Sequence, residues 1–282
     1  MQPSDMTTAV LITGTSSGIG RAAAARLLRR PGVTVYATAR RVDAIADLAA
    51  AGATTIALDV TDEASMRAAV EQVEAERGAV GALVNNAGYG EYGTVEETDL
   101  AAVRRQFETN VFGLARMTQL VLPGMRAAGT GRVVNVSSMG GRMVLPVGGY
   151  YHASKYAVEA LSDALRFEVA PFGVRVSVVE PGLTRTEFAG TASATLAASA
   201  VPTGPYAALT AATQRQVAAS YGSRLLSVRP DSVARVIEHA IVSDRPRHRY
   251  VVTPTARMLV QTRRLLGSRV FDALLLRQLA RA

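Results

Sequence analysis

Cysteine is absent from the 282 residues. That excludes disulfide frameworks, cysteine-ligated zinc, iron–sulfur clusters and thiol catalysis. Histidine is scarce, and the three present (His152, His239 and His248) are too scattered to suggest a metal site. Charged side chains make up only 19% of a chain that is 49% apolar, which excludes a largely disordered protein. Long apolar runs are also missing. The longest uncharged stretch, Phe188 to Gln214, is too rich in Ala, Ser, Thr, Gly and Pro to span a membrane. Met1 to Thr8 has neither the cationic start nor the apolar core of a secretory signal. These absences predict a soluble, cytoplasmic chain. Its length suits one or two domains, and α/β folds of this size are often one. Here a single domain over 1–282 is expected, because no low-complexity linker or internal repeat divides the chain.

Lysine is nearly missing too. Of 31 basic residues only Lys155 is lysine, and the rest are arginine. The net charge of +8 lies wholly in residues 224–282, where 12 arginines face Asp231, Glu238, Asp244 and Asp272. The remaining 223 residues are neutral. A nucleic-acid protein spreads basic charge over its binding face, so no nucleic-acid partner is expected.

Short apolar runs alternate with helical spacing along most of the chain. Strands are expected at 10–12, 33–38, 54–58, 82–84, 132–136, 174–179 and 249–253. Helices are expected at 21–30, 42–51, 62–77, 100–107, 111–127, 151–170 and 230–242, then 256–266 and 270–279. The runs are apolar throughout, as strands buried on both faces must be, which predicts a doubly wound parallel sheet with helices on both faces and a C-terminal helical extension. Residues 184–223 break this rhythm and read as an irregular or loosely helical insertion.

Between the first strand and helix lie Gly14, Gly18 and Gly20, spaced Gly-x-x-x-Gly-x-Gly. Glycine there permits a tight turn and lets a pyrophosphate approach the helix N-terminus, whose free N–H groups attract anions. Three glycines in a turn are also compatible with a turn and nothing more; the flanking strand and helix favour nucleotide binding. At the end of the second strand stands Thr38-Ala39-Arg40-Arg41, with no carboxylate before Asp43. A carboxylate would suit a ribose 2′-hydroxyl, whereas arginine suits a 2′-phosphate, so NADP(H) is expected. A solvated arginine pair is the plainer alternative.

Tyr151 and Lys155 are four apart on an expected helix and share a face. An ammonium about 4–5 Å from a phenol, at an effective dielectric near 20, contributes roughly 3–4 kcal/mol and should bring the phenol towards working pH. Tyr150 has only Ser154 at that spacing. A surface pair is the alternative, but a lone lysine among arginines suggests a site where guanidinium will not serve.

Taken in order, these motifs resemble the short-chain dehydrogenase/reductase family over residues 7–190. Its glycine motif stands as Thr13 to Gly20, with Ser16, Ser17, Gly18 and Ile19 in the turn. The resemblance implies cofactor contacts at Arg40, Arg41, Asp59 and Val60, at Asn86, Ala87 and Gly88, and at Pro181, Gly182, Thr184 and Thr186. It implies a catalytic set of Asn110, Ser138, Tyr151 and Lys155, with the last two also holding the cofactor's ribose, and Asn110 placing a water that links Lys155 to solvent. Expected from this is hydride transfer between NADP(H) and an alcohol or ketone, with Tyr151 as acid/base, in a homo-oligomer (dimer or tetramer). Alternatives are a non-catalytic NADP-binding sensor, a reductase of carrier-bound 3-oxoacyl groups, and an epimerase or dehydratase on a related fold. A sensor should have lost Tyr151 or Lys155, and an epimerase should carry a larger C-terminal domain.

Residues 184–223 are where a substrate lid should lie, and its uncharged stretch suits a small apolar substrate. In the basic tail, Phe271, Leu274, Leu275 and Leu279 share helical spacing. Either these helices pack on the body or a sister subunit, or they dock on an anionic membrane or an acidic carrier protein.

Overall fold

A computed structural model of the chain describes residues 7–223 and 226–279. The start of the N-terminal segment (1–6), Arg224, Arg281 and the side chain of Leu279 lie outside the described residues. Seven parallel strands form one sheet: β1 (Thr8–Ile12), β2 (Val33–Ala39), β3 (Thr54–Ala57), β4 (Ala82–Asn85), β5 (Gly131–Val136), β6 (Val174–Glu180) and β7 (Arg249–Val251). Their order is β3-β2-β1-β4-β5-β6-β7. The strand order reverses beside β1, between β1 and β4, so a crevice opens there at the strands' C-terminal ends. This is the expected doubly wound sheet, a Rossmann-like fold.

Alternate residues of each strand enter two separate cores, which is why the strands are apolar throughout. On one face, Val10, Ile12, Val35, Ala37 and Val134 pack against α1 (Gly18–Leu27) and α9 (Pro230–Val242) through Leu27, Val233 and Ile237. On the other, Ala9, Leu11, Tyr36 and Val133 meet α3 (Glu63–Arg77), α5 (Leu114–Ala127) and α6 (Gly149–Val169) through Val73, Met117, Val121 and Val169. Between these helices lie α2 (Ala46–Ala50) and α4 (Leu100–Phe107).

Where the expected elements shift, the cause is local. The first helix starts at Gly18 rather than Arg21, directly on the glycine turn. The expected helix at 42–51 is a 3₁₀ turn (Val42–Ile45) followed by the short α2. Asp62 caps α3 from outside, accepting from the N–H groups of Ala64 and Ser65. The helix expected from Val111 begins at Leu114, because a π turn at Glu108–Gly113 joins α4 to α5. That wider turn leaves Asn110 almost fully buried. Residues 184–223 are more regular than expected: they hold α7 (Phe188–Ser199) and α8 (Ala207–Gly222), built largely on alanine, the strongest helix former. The tail forms α10 (Pro254–Leu279), broken at Gly267, whose φ of 70° lies in the left-handed region.

Candidate active site

The six strands β1 to β6 all end on one cleft of about 880 Å³. Gly14 and Ser16–Ile19 follow β1, Arg40 follows β2, and Asp59 and Val60 follow β3. Asn86, Ala87 and Gly88 follow β4, Ser138 follows β5, and Pro181, Gly182, Thr184 and Thr186 follow β6. Tyr151 and Lys155 reach the same cleft from α6.

Glycine is required where the chain crowds. Gly14 has φ 70°, and a Cβ on it would lie 2.9 Å from the backbone of Ala87. The turn is welded to β4 by side chains. Thr13 Oγ1 accepts from the N–H groups of Asn86 and Ala87, both at 3.0 Å, and Asn86 Nδ2 donates to the carbonyls of Thr13 and Gly14, both at 2.9 Å. Ser17 caps α1 with extended backbone but no side-chain hydrogen bond to the helix. The first N–H groups of α1 thus face the cleft as an anion cradle, which fits a dinucleotide pyrophosphate. Arg40 is an exposed cation at the rim, beside the buried Ala39. Asp59 accepts from both the N–H and the hydroxyl of Thr61, which holds its carboxylate at the opposite wall of the same end.

Three residues assigned to the site from sequence do not line the cleft. Gly20 lies beneath it, where a Cβ would strike the Gly14 carbonyl and the Asn86 amide, so it serves close packing. Arg41 is exposed outside it. The Asn110 amide is committed: it accepts from the N–H of Tyr89 at 3.0 Å and donates to the Tyr89 carbonyl at 2.8 Å and to Ser154 Oγ at 3.1 Å. It clamps the loop after β4, and Gly88 leaves the room it needs.

Tyr151 and Lys155 are both buried. Burial pushes the Tyr151 phenol up to about 12, opposed by a hydrogen bond from Ser138. Burial also lowers the Lys155 ammonium to about 8, opposed by the charge of Glu159 one turn along α6. The phenol is therefore not brought towards working pH as expected: burial outweighs the effect of Lys155. In this structure the ammonium donates to the Val136 carbonyl at 3.0 Å, and desolvation dominates both groups. Glu159 is raised to about 7 by burial and by Glu180, and Arg249 ties it to Asp163 and Glu180.

The inner end of the cleft is aromatic. Tyr92 stacks on Tyr151 with ring centroids 5.6 Å apart, and Phe188 tilts onto Tyr151 at 5.3 Å. Burial raises the phenols of Tyr92 and Tyr221. Helix α7 is fastened to the loop carrying Tyr92: Thr195 Oγ1 accepts from the Tyr92 N–H and Ser199 Oγ donates to its carbonyl. Tyr89, Phe188, Thr191 and Tyr221 line the cleft but went unassigned from sequence. Tyr89 directly follows Asn86-Ala87-Gly88 and was within reach; the others depend on how the insertion folds back.

Lys155 is the chain's single lysine, so its side-chain signal overlaps no other lysine's. With lysine labelled at the ε-carbon, nuclear magnetic resonance should show one side-chain signal with a midpoint near 8, displaced from the ordinary value of about 10.4. A midpoint near 10.4 would show that burial does not govern this group.

Comparison with known proteins agrees with this geometry. The family model for short chain dehydrogenases matches residues 8–197. The chain is 36% identical over 271 residues to the uncharacterized oxidoreductase YbbO of Escherichia coli, covering 96% of this chain and 94% of that one. It is 42% identical over 179 residues to a 3-ketodihydrosphingosine reductase of Bacteroides thetaiotaomicron, covering 64% and 65%. Among solved structures, a short-chain dehydrogenase/reductase of Burkholderia phymatum in complex with NAD superposes with a TM-score of 0.78 at 27% identity, over 92% of this chain and 93% of that one. A metagenomic short-chain oxidoreductase in complex with NADP gives 0.67 at 27% identity, over 88% and 97%. With the fold, the glycine cradle and the buried tyrosine–lysine pair already in place, these matches establish that the chain belongs to the short-chain dehydrogenase/reductase family of oxidoreductases.

Proposed function

We propose that the protein is an NADP(H)-dependent reductase of apolar ketones, acting on the corresponding alcohols in reverse. The observation that carries this is the convergence of Ser138, Tyr151 and Lys155 on the inner end of a cleft whose outer end is an anion cradle. When bound, the nicotinamide supplies or accepts a hydride. The chain's part is proton handling and orientation. Burial keeps Tyr151 protonated, the form needed to deliver a proton to the carbonyl oxygen as the alcohol forms. Ser138 donates a hydrogen bond to that oxygen and stabilises its developing charge. Lys155, cationic below about pH 8, holds ribose hydroxyls and stabilises the phenolate as the proton leaves. Asn110 supports them by clamping the loop at Tyr89 with its side chain.

Arg40 favours the 2′-phosphate of NADP(H), with Ala39 beside it where NAD-type members carry aspartate. Arg41 stands outside the cleft, so the preference rests on one guanidinium. For the substrate, α7 and α8 serve as the lid, and the wall of Tyr151, Phe188 and Tyr221 suits an aliphatic or aromatic ketone. The relative that reduces 3-ketodihydrosphingosine supports a long-chain ketone. Lys155 and Tyr151 are both retained, which disfavours a sensor without turnover.

The test is a turnover assay with long-chain ketones. NADPH should be oxidised at least tenfold more efficiently than NADH, since one guanidinium–phosphate contact is worth about 1.5–3 kcal/mol. Tyr151→Phe should lower turnover by several orders of magnitude while leaving cofactor binding intact, and Lys155→Arg should also be severe. Equal use of NADH would remove the NADP assignment, and near-normal turnover by Tyr151→Phe would remove the mechanism.

A second proposal concerns α10 and the partner it meets. Phe271 is buried and Leu275 packs beside it against Met139, Met143 and Leu145, while Leu274 is exposed, so the tail's apolar face is divided. Leu265, Leu276 and Met258 stand 79%, 65% and 60% exposed among Arg257, Arg264, Arg269 and Arg277. Among the described residues no helix is long and apolar enough to cross a membrane. We infer peripheral docking on an anionic bilayer in the cytoplasm; each basic residue near such a surface is worth about 1 kcal/mol. A second copy of the chain is the proposed cover for the exposed Phe112, Leu161 and Phe167. Co-sedimentation with anionic vesicles at low salt, lost at high salt and absent with neutral vesicles, is the expected result. Equal partition to neutral vesicles, or none to either, would contradict it.

A further inference from the structure

In the reductase reading, the Ser138 hydroxyl must point its proton at a carbonyl oxygen, and a hydroxyl is free to rotate unless its lone pairs are engaged. The neighbourhood of His152 addresses that need. His152 follows Tyr151 on α6, is buried, and does not line the cleft. Each ring nitrogen has one partner, and both partners are backbone groups of the segment joining β5 to α6. Nε2 lies 3.1 Å from the Leu145 N–H, and Nδ1 lies 3.0 Å from the Gly140 carbonyl.

Those partners determine where the proton sits. A backbone N–H only donates and a carbonyl only accepts. Nε2 must therefore be bare and Nδ1 must carry the hydrogen, which is the neutral Nδ1–H tautomer. Burial acts in the same direction, lowering His152 to about 4. Two glycines make the room: a Cβ on Gly140 would lie 2.5 Å from Nδ1, and one on Gly148 would lie 2.8 Å from Nε2.

Gly140 is the link to the chemistry. Its carbonyl accepts from His152, while its N–H donates to Ser138 Oγ at 3.0 Å. With a lone pair engaged by that N–H, Ser138 has its own proton left to donate. The same segment carries backbone strain. Val147 has φ 64°, the one positive value outside glycine among the described residues, and its carbonyl accepts from the Gly93 N–H at 2.8 Å. A β-branched residue in that region persists only when its surroundings hold it. His152 pins the other end of the segment.

We propose that His152 is a positioning residue for the reduction: as a neutral Nδ1–H imidazole it holds Gly140 by its carbonyl, and the N–H of that same residue, across its Cα, sets the Ser138 hydroxyl as a donor to the substrate's carbonyl oxygen. The proposal rests on the reductase reading of the cleft and adds to it a group that touches neither substrate nor cofactor.

The test is a double-mutant cycle on the full chain, with NADPH and a long-chain ketone. His152→Ala should lower kcat by roughly ten- to a hundredfold, less than the 10²–10³ expected for deleting an oxyanion donor outright. The dissociation constant for NADPH should not change. His152→Asn, whose amide nitrogen can sit where Nδ1 does, should recover most of kcat, whereas His152→Gln, which can answer only Leu145, should not. In a Ser138→Ala background, His152→Ala should cost less than about twofold more. An undiminished loss in that background, or equal recovery by Asn and Gln, would overturn the proposal. Nitrogen-15 spectra of the imidazoles need no turnover. They should show His152 as neutral Nδ1–H from pH 8 to 5; the Nε2–H tautomer or an imidazolium at pH 7 would overturn the proposal even in an active enzyme. A wild-type chain that binds NADPH, shows the expected tautomer and turns over no ketone would instead defeat the reductase reading, and this role with it.

Discussion

An ammonium buried at the inner end of the cleft is the constraint on which the rest of this structure depends. Lys155 is 6% exposed and is held by the Val136 carbonyl at the C-terminal end of β5, a central strand of the sheet. Desolvation lowers its ordinary value to about 8. Its hydrogen bond goes to the carbonyl in front, and the charge that opposes its burial is that of Glu159, one turn along α6. Glu159 is in turn tied through Arg249 to Asp163 and Glu180, with Arg142 reaching Glu180 from the segment after Ser138. A guanidinium has no place in that arrangement, being larger and planar, and arginine occupies every other basic position in the chain.

The cleft divides its work along its length. At the outer end the backbone acts: a glycine turn, the open N-terminus of α1, and an arginine at the rim. At the inner end side chains act, and nearly all are buried. The two ends are joined by hydrogen bonds between loops rather than by direct contact. Asn86 ties the glycine turn to β4, and Asn110 ties the loop after β4 to α6 through Ser154. A bound dinucleotide would span these parts, so displacing any one loop would shift hydride and proton donors relative to each other.

Much of this was legible in the sequence because it depends on local patterns. Apolar runs marked all seven strands, and the Gly14 turn, the Arg40 rim and the Tyr151–Lys155 spacing located both ends of the cleft. The failures come from interactions that spacing does not encode. The π turn that buries Asn110 also lets its side chain clamp the loop at Tyr89, a structural role that its sequence position does not announce. The Tyr151 phenol was read from the charge of Lys155 at a surface-like dielectric, whereas burial of the phenol outweighs that effect. Tyr92, Phe188 and Tyr221 meet across three separate segments, and no one-dimensional pattern brings them together.

Direct hydride delivery to a carbonyl carbon at the inner end of this cleft is the central claim. The most direct measurement is product analysis by mass spectrometry after reduction of a long-chain ketone with NADPH deuterated at C4 of the nicotinamide. The account predicts one deuterium on the carbinol carbon and a hydroxyl proton that exchanges with solvent. An alcohol formed without deuterium at that carbon, or labelled NADPH left unconsumed with every ketone offered, would contradict it.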